Sequence, residues 1–197
     1  MHKVELLVDA QSIEMIKAVI ESGCDAVFVG NGINSFTDEM LEEAVEYVHN
    51  KNKKIYVAFN KIPHENDIID SEKKLKKLEQ LGVDAVVINE PGMSMIVKEV
   101  VPNMEIHLGE EANITNYETA NFWYDEGIKR VVVAKELSTV EIGQIRVNTS
   151  TNLDIEVLVH GSMQISHSGR KLLTNFISKK SSNVDSDLEY KKYSLME

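Results

Sequence analysis

The sequence contains one cysteine, Cys24, in 197 residues. A single thiol excludes a disulfide within the chain, and it cannot supply the several thiolates that hold an iron–sulfur cluster. It fits a reducing compartment, so we expect a cytoplasmic protein. No apolar run approaches the roughly 20 residues of a membrane-spanning helix. The N-terminal MHKVELLVD is too short and too acidic for a signal peptide and is typical of a strand. We therefore expect neither secretion nor a membrane anchor.

Basic residues are outnumbered, with 21 Lys and Arg against 32 Asp and Glu and a formal charge of −11. Such a balance repels a phosphate backbone, so direct nucleic-acid binding by this chain alone is disfavoured. Familiar catalytic motifs are also missing. The sequence has no G-x-S-x-G turn and no H-E-x-x-H helix, and no glycine-rich phosphate fingerprint follows the first apolar segment. Neither a serine hydrolase, a zincin nor a dinucleotide-binding fold is indicated.

What the chain does have is a phrase that occurs three times. Each copy joins the end of a helix, a glycine, a short linker and an apolar strand: ESGCDAVFVG at 21–30, EQLGVDAVVIN at 79–89 and DEGIKRVVVA at 125–134. A glycine suits the left-handed residue that ends a helix. A continuous β-branched run is typical of a parallel strand that is covered on both faces. The phrase therefore predicts alternating helices and strands.

Seven strands follow from this alternation, and amphipathic helices are predicted between them. The predicted strands are Val4–Val8, Ala26–Val29, Ile55–Phe59, Ala85–Ile88, Glu105–Leu108, Arg130–Val133 and Ile155–Val159. A steady βα repeat indicates an α/β fold, here a TIM-like (β/α) barrel that is incomplete, because a closed barrel needs eight strands. We assign 1–177 to the barrel and 178–197 to a polar loop and tail, in which Tyr190–Met196 has the only remaining strand-like alternation.

Polar residues follow almost every predicted strand, where a barrel builds its active site. They are Asn31, Asn60, Asn89, Glu90, Glu110, Glu111, Lys135, Glu136 and His160. A histidine such as His160 serves either as an acid, base or metal ligand, or as a hydrogen-bond partner of a loop carbonyl. His107 either enters the lumen or packs beneath the helices. Glu110 and Glu111 follow it closely, and they either chelate a metal with it or are solvated.

Three phrases resemble the collagenase-like proteins of peptidase family U32. They are HLGEEANITN at 107–116, KRVVVAKELS at 129–138 and VLVHGSMQISHSGRKLLTNF at 157–176. The resemblance extends over nearly the whole chain. It implies an incomplete or decorated α/β barrel, a historical label of protease and, for several members, a role in hydroxylating RNA bases or a quinone precursor with an iron–sulfur cluster.

The sequence departs from this family where the cluster is held. The family has cysteines at the positions of Gln164 and Lys171, and its further downstream cysteines are also missing here. Neither glutamine nor lysine replaces a thiolate in a cluster, so we expect no cofactor on this chain. The family's glutamine in the loop after the fifth strand is Glu111 here. The family also continues beyond the equivalent of Glu197, which leaves a fragment and a naturally short paralogue as alternatives.

The candidate site combines the rim residues with the positions that keep the family pattern. The candidate catalytic residues are His160, Glu111 and His107; the candidate substrate-binding residues are Asn60, Asn113, Glu136, Ser168 and Arg170; no metal ligand set is predicted. Arg170 either binds a carboxylate or phosphate through its two-pronged guanidinium, or forms a structural ion pair with Glu136 or Glu111.

Three functions remain open at this stage. The first is a cluster-less accessory subunit in RNA-base hydroxylation, acting on tRNA or rRNA beside a cluster-bearing paralogue. The second is a collagenase-like peptidase, as the family label says. The third is a non-enzymatic barrel that binds a small carboxylate. The expected partners are accordingly a paralogue or a second copy of the chain, and a small carboxylate or peptide ligand.

Overall fold

The structure is a computed structural model that describes residues 4–30, 36–60 and 63–161. Strands and helices alternate through all three ranges. The strands are β1 Leu7–Asp9, β2 Ala26–Val29, β3 Lys54–Ala58, β4 Ala85–Ile88, β5 Glu105–Leu108, β6 Arg130–Val132 and β7 Asp154–Glu156. The helices are α1 Ile13–Glu21, α2 Asp38–Asn50, α3 Ile68–Leu81, α4 Pro91–Val100, α5 Tyr117–Asp125 and α6 Thr139–Val147. Short 3₁₀ helices, Glu65–Asp67 and Glu110–Ala112, precede α3 and α5.

The seven strands form one parallel sheet in chain order, β1 to β7. This confirms the predicted TIM-like (β/α) barrel, with seven parallel strands in the part of the chain that the structure describes. The outermost strands differ in their bounds from the prediction: β1 lies later than Val4–Val8, and β7 ends before Val157–Val159. The exposed side chains explain the difference. Val4 and Val159 are each 86% exposed, so these apolar residues contribute little burial to a strand.

Local sequence sets where the helices begin and end. The side chain of Ser12 accepts a hydrogen bond from Met15 N at the start of α1, and Thr37 does the same for α2. Pro91 occupies the first position of α4, where its missing N–H costs nothing. Gly82 ends α3 with a φ of 80°, as the repeated phrase predicts. None of the helices in the described ranges is long and apolar enough to cross a membrane.

The sheet has a different core on each face. On the convex face, alternate strand residues such as Val27, Ile55 and Val86 pack against the helices in a large apolar cluster. On the concave face, a smaller cluster contains Ala26, Tyr56, Ala85 and Val87, with Leu7 and Phe28 packed against it. The concave face therefore has room for polar side chains among its apolar residues.

An ion pair across the concave face shows how strongly the sheet curls. Glu5 lies two residues before β1, and its Oε1 is 2.6 Å from Nη1 of Arg130 on β6. In a flat sheet, five strand spacings of about 4.8 Å would separate β1 from β6 by about 24 Å. The two groups can meet only if the sheet curls into a half-barrel and both side chains point into its lumen.

Arg130 is the centre of a buried ionic cluster. Its side chain is 8% exposed, and it also contacts Asp154 at 3.1 Å and Glu156 at 3.6 Å. Its guanidinium lies 5.1 Å from the centre of the Tyr56 ring, and the Tyr56 hydroxyl donates to Glu5. Burial opposes the charge, but these partners outweigh burial and raise the pKa of Arg130. The cluster joins the segment before β1 to β3, β6 and β7 through the lumen.

Some predictions fall on residues that the structure does not describe. The strand-like segment Tyr190–Met196 and the boundary between 177 and 178 both lie outside the described ranges.

Replacing Arg130 by methionine tests the ionic cluster. Arg130→Met leaves three carboxylates facing one another without their cation, and removing one partner of a buried ion pair costs about 3 kcal/mol or more. Urea unfolding followed by circular dichroism should show that loss. Lys17→Met, which removes the exposed ion pair to Glu43 on the helical surface, is the control and should leave the midpoint almost unchanged. Equal effects of the two substitutions would contradict the central role of Arg130.

Candidate functional site

Asn89 connects the carboxyl ends of three neighbouring strands. It directly follows β4, and its Nδ2 donates to Glu111 Oε2 at 2.8 Å and to the backbone carbonyl of Asn60 at 3.3 Å. Asn60 lies just after β3, and Glu111 lies in the 3₁₀ helix after β5. Asn89 thus brings together two predicted site residues, Asn60 and Glu111.

The same contacts determine the orientation of the Asn89 amide. Both partners of Nδ2 are acceptors, so the nitrogen must face them and Oδ1 must face the other way. Oδ1 is buried and has no hydrogen-bond partner. An unpaired buried acceptor is costly, and such an atom in a native site calls for an explanation.

Gly109 provides the space that this arrangement needs. The φ of Gly109 is −76°, which suits any residue. Glycine is therefore required here because it has no side chain, and not because of its backbone conformation. A Cβ at this position would overlap Asn89 Oδ1 and lie 3.2 Å from Val87 Cγ1. The Gly109 N–H donates to the carbonyl of Ile88 at 2.7 Å, which holds the loop against β4. Gly109 therefore sets how closely the β5 loop approaches Asn89.

An ion pair between Lys135 and Glu110 holds the loop after β5 in place. Lys135, whose side chain is 10% exposed, contacts Glu110 at 2.8 Å and joins the β5 loop to the β6 loop. The 3₁₀ helix then ends at Asn113, which has a φ of 57° and is exposed. Asparagine tolerates this left-handed conformation, so the backbone accounts for Asn113 at least as well as substrate binding does.

His107 lies in the lumen. The sequence pattern had left two positions open for it, the lumen and the layer beneath the helices. Its side chain is 1% exposed, Nε2 lies 2.9 Å from Glu105 Oε1, and its ring packs edge-on against Tyr56 at 4.6 Å. Burial lowers the pKa of His107 more than Glu105 raises it, so the ring is neutral near pH 7. Nε2 carries the hydrogen that Glu105 accepts, and Nδ1 is a buried acceptor without a partner.

Each of the three residues that were suggested to chelate a metal, His107, Glu110 and Glu111, has another partner in the structure. His107 pairs with Glu105, Glu110 pairs with Lys135, and Glu111 accepts from Asn89. Within the described ranges, no group of three or more His, Cys, Asp or Glu is placed to hold a metal ion.

The remaining predicted site residues are not joined to this network. Glu136 and His160 are exposed at the ends of β6 and beyond β7, and no hydrogen bond joins either of them to another described residue. The interpretation of His160 as bonded to a loop carbonyl is therefore not realised among the described residues. Ser168 and Arg170, with the suggested ion pairs of Arg170, lie outside the described ranges.

Two carboxylates in the lumen were missed by the sequence reasoning. Asp9 ends β1 and Glu156 ends β7, and both share the lumen-facing alternation of their strands. Burial raises the pKa of Asp9. Burial also raises the pKa of Glu156, although Arg130 opposes this. The alternation of polar and apolar residues in DIE and LVD was the available signal, but both segments resemble ordinary strand ends.

A curled parallel sheet with a polar lumen, lined at its carboxyl ends by loop residues, defines the (β/α)-barrel class of proteins. The solved structure of a U32 peptidase is similar over 80% of this chain and 70% of its own, with a TM-score of 0.65 at 16% identity. The sequence profile of peptidase family U32 matches residues 11–194, and the chain belongs to this family.

Curated relatives in the family include RNA-modifying proteins. The chain is 36% identical over 190 residues to the tRNA hydroxylation protein P of Escherichia coli. The aligned region covers 93% of this chain and 42% of the relative. It is 30% identical to the 23S rRNA 5-hydroxycytidine C2501 synthase of the same organism, over 92% of this chain and 28% of that protein. The chain thus spans less than half the length of these relatives.

Substituting Gly109 tests the packing at the mouth. Gly109→Ala must displace Asn89 or the β5 loop, and overpacking of this kind costs about 1–3 kcal/mol. Gly143→Ala is the matched control, because a Cβ there meets nothing within 4 Å and alanine favours a helix interior by up to about 1 kcal/mol. Chemical denaturation should show a loss for the first variant and no loss for the second. Two equally stable variants would mean that the mouth is loosely packed.

The pH dependence of stability tests the burial of Glu156. Its folded-state pKa lies above the ordinary 4.5, so the folded protein holds this proton more tightly than the unfolded chain does. Stability contributed by the protonated form is lost as the pH rises from about 4.5 through the folded-state pKa.

Glu156→Gln removes this loss. The variant should match the wild type at pH 4 and become the more stable protein by pH 7, as measured by urea unfolding across that range. The control Glu46→Gln removes a charge from an exposed position on α2 and should give no such divergence. A variant that is less stable than wild type at pH 7 would show that the Arg130 contact outweighs burial.

Proposed function

We propose that this chain is the barrel portion of an RNA-base hydroxylation system and acts as a cluster-less accessory subunit beside a cluster-bearing relative. The observation that carries the proposal is the similarity to the tRNA hydroxylation protein P over 93% of the chain. The similarity to an rRNA hydroxycytidine synthase supports the same chemical class. The setting is the cytoplasm, where tRNA and rRNA are found.

The chain's own residues do not fit an iron–sulfur cluster. Its one thiol, Cys24, is 2% exposed and lies between α1 and β2, at the amino ends of the strands. Burial raises the pKa of Cys24, which disfavours the thiolate that a metal needs. Gln164 and Lys171 stand where the family resemblance places cluster cysteines. We therefore assign the cluster, and the redox step that depends on it, to the partner.

The contribution of this chain is then to bind and orient. The mouth has a hydrogen-bond network of Asn60, Asn89 and Glu111, and the Arg130 cluster holds the curl of the same sheet. Groups held in place by packing before a ligand arrives lose less freedom when it binds. The net charge of −11 favours a partner that carries most of the contacts with the RNA backbone.

The two alternative functions receive less support from the described residues. In those ranges no serine or cysteine is hydrogen-bonded to a histidine, as an activated nucleophile would be. For a small carboxylate, the cations Arg130 and Lys135 are already engaged by carboxylates. Arg170 would have to bind such a ligand.

Deletion and complementation in the native host test the proposal. We expect nucleoside mass spectrometry of total tRNA and rRNA to show loss of a hydroxylated base on deletion, and recovery with the wild-type gene. The Gly109→Ala gene should restore less of the modification than the Gly143→Ala gene. Affinity purification of the tagged chain should recover a cysteine-rich U32 relative, and iron analysis should place the metal with that relative. Unchanged RNA in the deletion strain, or stoichiometric iron on the purified chain alone, would refute the proposal.

A further inference from the structure

A cavity opens at the amino ends of β5 and β6, at the end of the sheet opposite the mouth. It has a volume of about 320 Å³ and lies between the segment that joins α4 to β5 and the turn that joins α5 to β6. Small-molecule sites are clefts of about 300–1,000 Å³, so this cavity has room for a small metabolite. The proposed function makes no use of it.

The wall of this cavity carries charges of both signs. Lys98 and Lys129 contribute ammonium groups, and Glu105 contributes a carboxylate. Lys98 lies 3.3 Å from Glu126, whereas Lys129 is exposed and forms no ion pair with another described residue. The hydrogen bond from His107 lowers the pKa of Glu105, so the carboxylate is ionised near pH 7. A cation and an anion that do not contact each other therefore face the same cavity.

Apolar surface lies beside these charges. Met104 and Ile106 line the cavity and are buried, and Pro102 lines it from the surface. A small carboxylate would pair with Lys129 but approach Glu105, and a small amine would pair with Glu105 but approach the lysines. A molecule that carries both charges avoids each conflict, and its apolar part has a wall to cover. The lining thus favours a zwitterion over either ion alone.

We propose that this cavity binds an α-amino acid with an apolar side chain, whose carboxylate pairs with Lys129 and whose ammonium group pairs with Glu105. Asn103 also lines the cavity and offers its amide to the carboxylate. The inference goes beyond the proposed function, because it assigns a ligand to the amino end of the sheet and needs neither RNA nor a cluster.

Glu105 connects this site to the lumen. Its side chain is 43% exposed, yet Oε1 lies 2.9 Å from Nε2 of His107, whose side chain is 1% exposed. An ammonium group bound to Glu105 competes with His107 for the charge of the same carboxylate. Occupancy of the cavity therefore weakens the hydrogen bond of a lumen residue, and the His107 ring reports whether the ligand is bound.

Three probes with the same branched carbon chain test the ligand class. Leucine carries both charges, 4-methylpentanoate lacks the ammonium group, and 3-methylbutylamine lacks the carboxylate. In calorimetric titrations of the full chain, leucine should bind about tenfold or more tightly than either analogue, because each analogue leaves one charge of the cavity unpaired. Equal binding of the three probes, or no binding of leucine, would overturn the proposal.

Variants locate the site. Lys129→Met removes the ammonium group at an exposed position and should weaken leucine binding about tenfold, whereas Lys129→Arg should retain most of it. Lys73→Met, on the exposed surface of α3, is the matched control and should bind leucine as the wild type does. Glu105→Gln should weaken leucine binding but strengthen 4-methylpentanoate binding, because the repulsion disappears with the charge. Should Glu105→Gln fail to fold, the two Lys129 variants decide the question. Normal leucine binding by Lys129→Met would place the ligand elsewhere and refute the assignment.

The ring of His107 tests the connection to the lumen. Leucine should move the Nε2 resonance of ¹⁵N-labelled His107 in the wild type, and the same concentration should leave it unmoved in Lys129→Met. An unmoved wild-type resonance would mean that the ligand does not reach Glu105, which contradicts the proposal. None of these measurements involves RNA, so their failure leaves the proposed function intact, and unchanged RNA in the deletion strain leaves the cavity assignment intact.

Discussion

The pairing of Arg130 with Glu5 across the lumen is the constraint on which the rest of the structure depends. It requires β6 and the segment before β1 to approach each other, and so it requires the sheet to curl. An arginine this buried needs carboxylates around it, and Glu5, Asp154 and Glu156 supply them from both ends of the sheet. Burial raises the pKa of Glu156 in this cluster, with Glu5 adding to the effect and Arg130 opposing it. The ion pairs that neutralise Arg130 are therefore also the contacts that hold the sheet in its curled form.

Lumen-facing residues follow one another along neighbouring strands. On β5 they are Glu105, His107 and Gly109, and the parallel register places Val87 of β4 and Arg130 of β6 beside His107. Glu105 accepts a hydrogen bond from the His107 ring, and Gly109 leaves the space that Asn89 Oδ1 fills. The ring of His107 and the amide of Asn89 are thus each positioned by a residue of the β5 segment.

Much of the fold could be predicted from the sequence, since it depends on local chemistry. The three glycine-strand phrases, the caps Ser12 and Thr37 and the proline of α4 specify element type without knowledge of distant contacts. The rim position of Asn60, Asn89 and Glu111 also follows from strand order. The Arg130 cluster could not be found in this way, because Arg130 and Glu5 are 125 residues apart and no member has a distinctive neighbourhood in the sequence. The partner of His107 was missed for a different reason. Glu105 lies two residues before His107 on the same face of β5, whereas the predicted partners Glu110 and Glu111 lie in the loop that follows the strand.

Asn89 has a consequence for how the mouth moves. Its amide holds the ends of β3 and β4 and the turn after β5 with one planar group, whose two hydrogens are both committed. A shift of any one strand end has to break a bond to another, so the three ends do not move independently. Fraying of the barrel rim on this side is then coupled through Asn89, because displacement of any one of the three ends costs at least one of its hydrogen bonds.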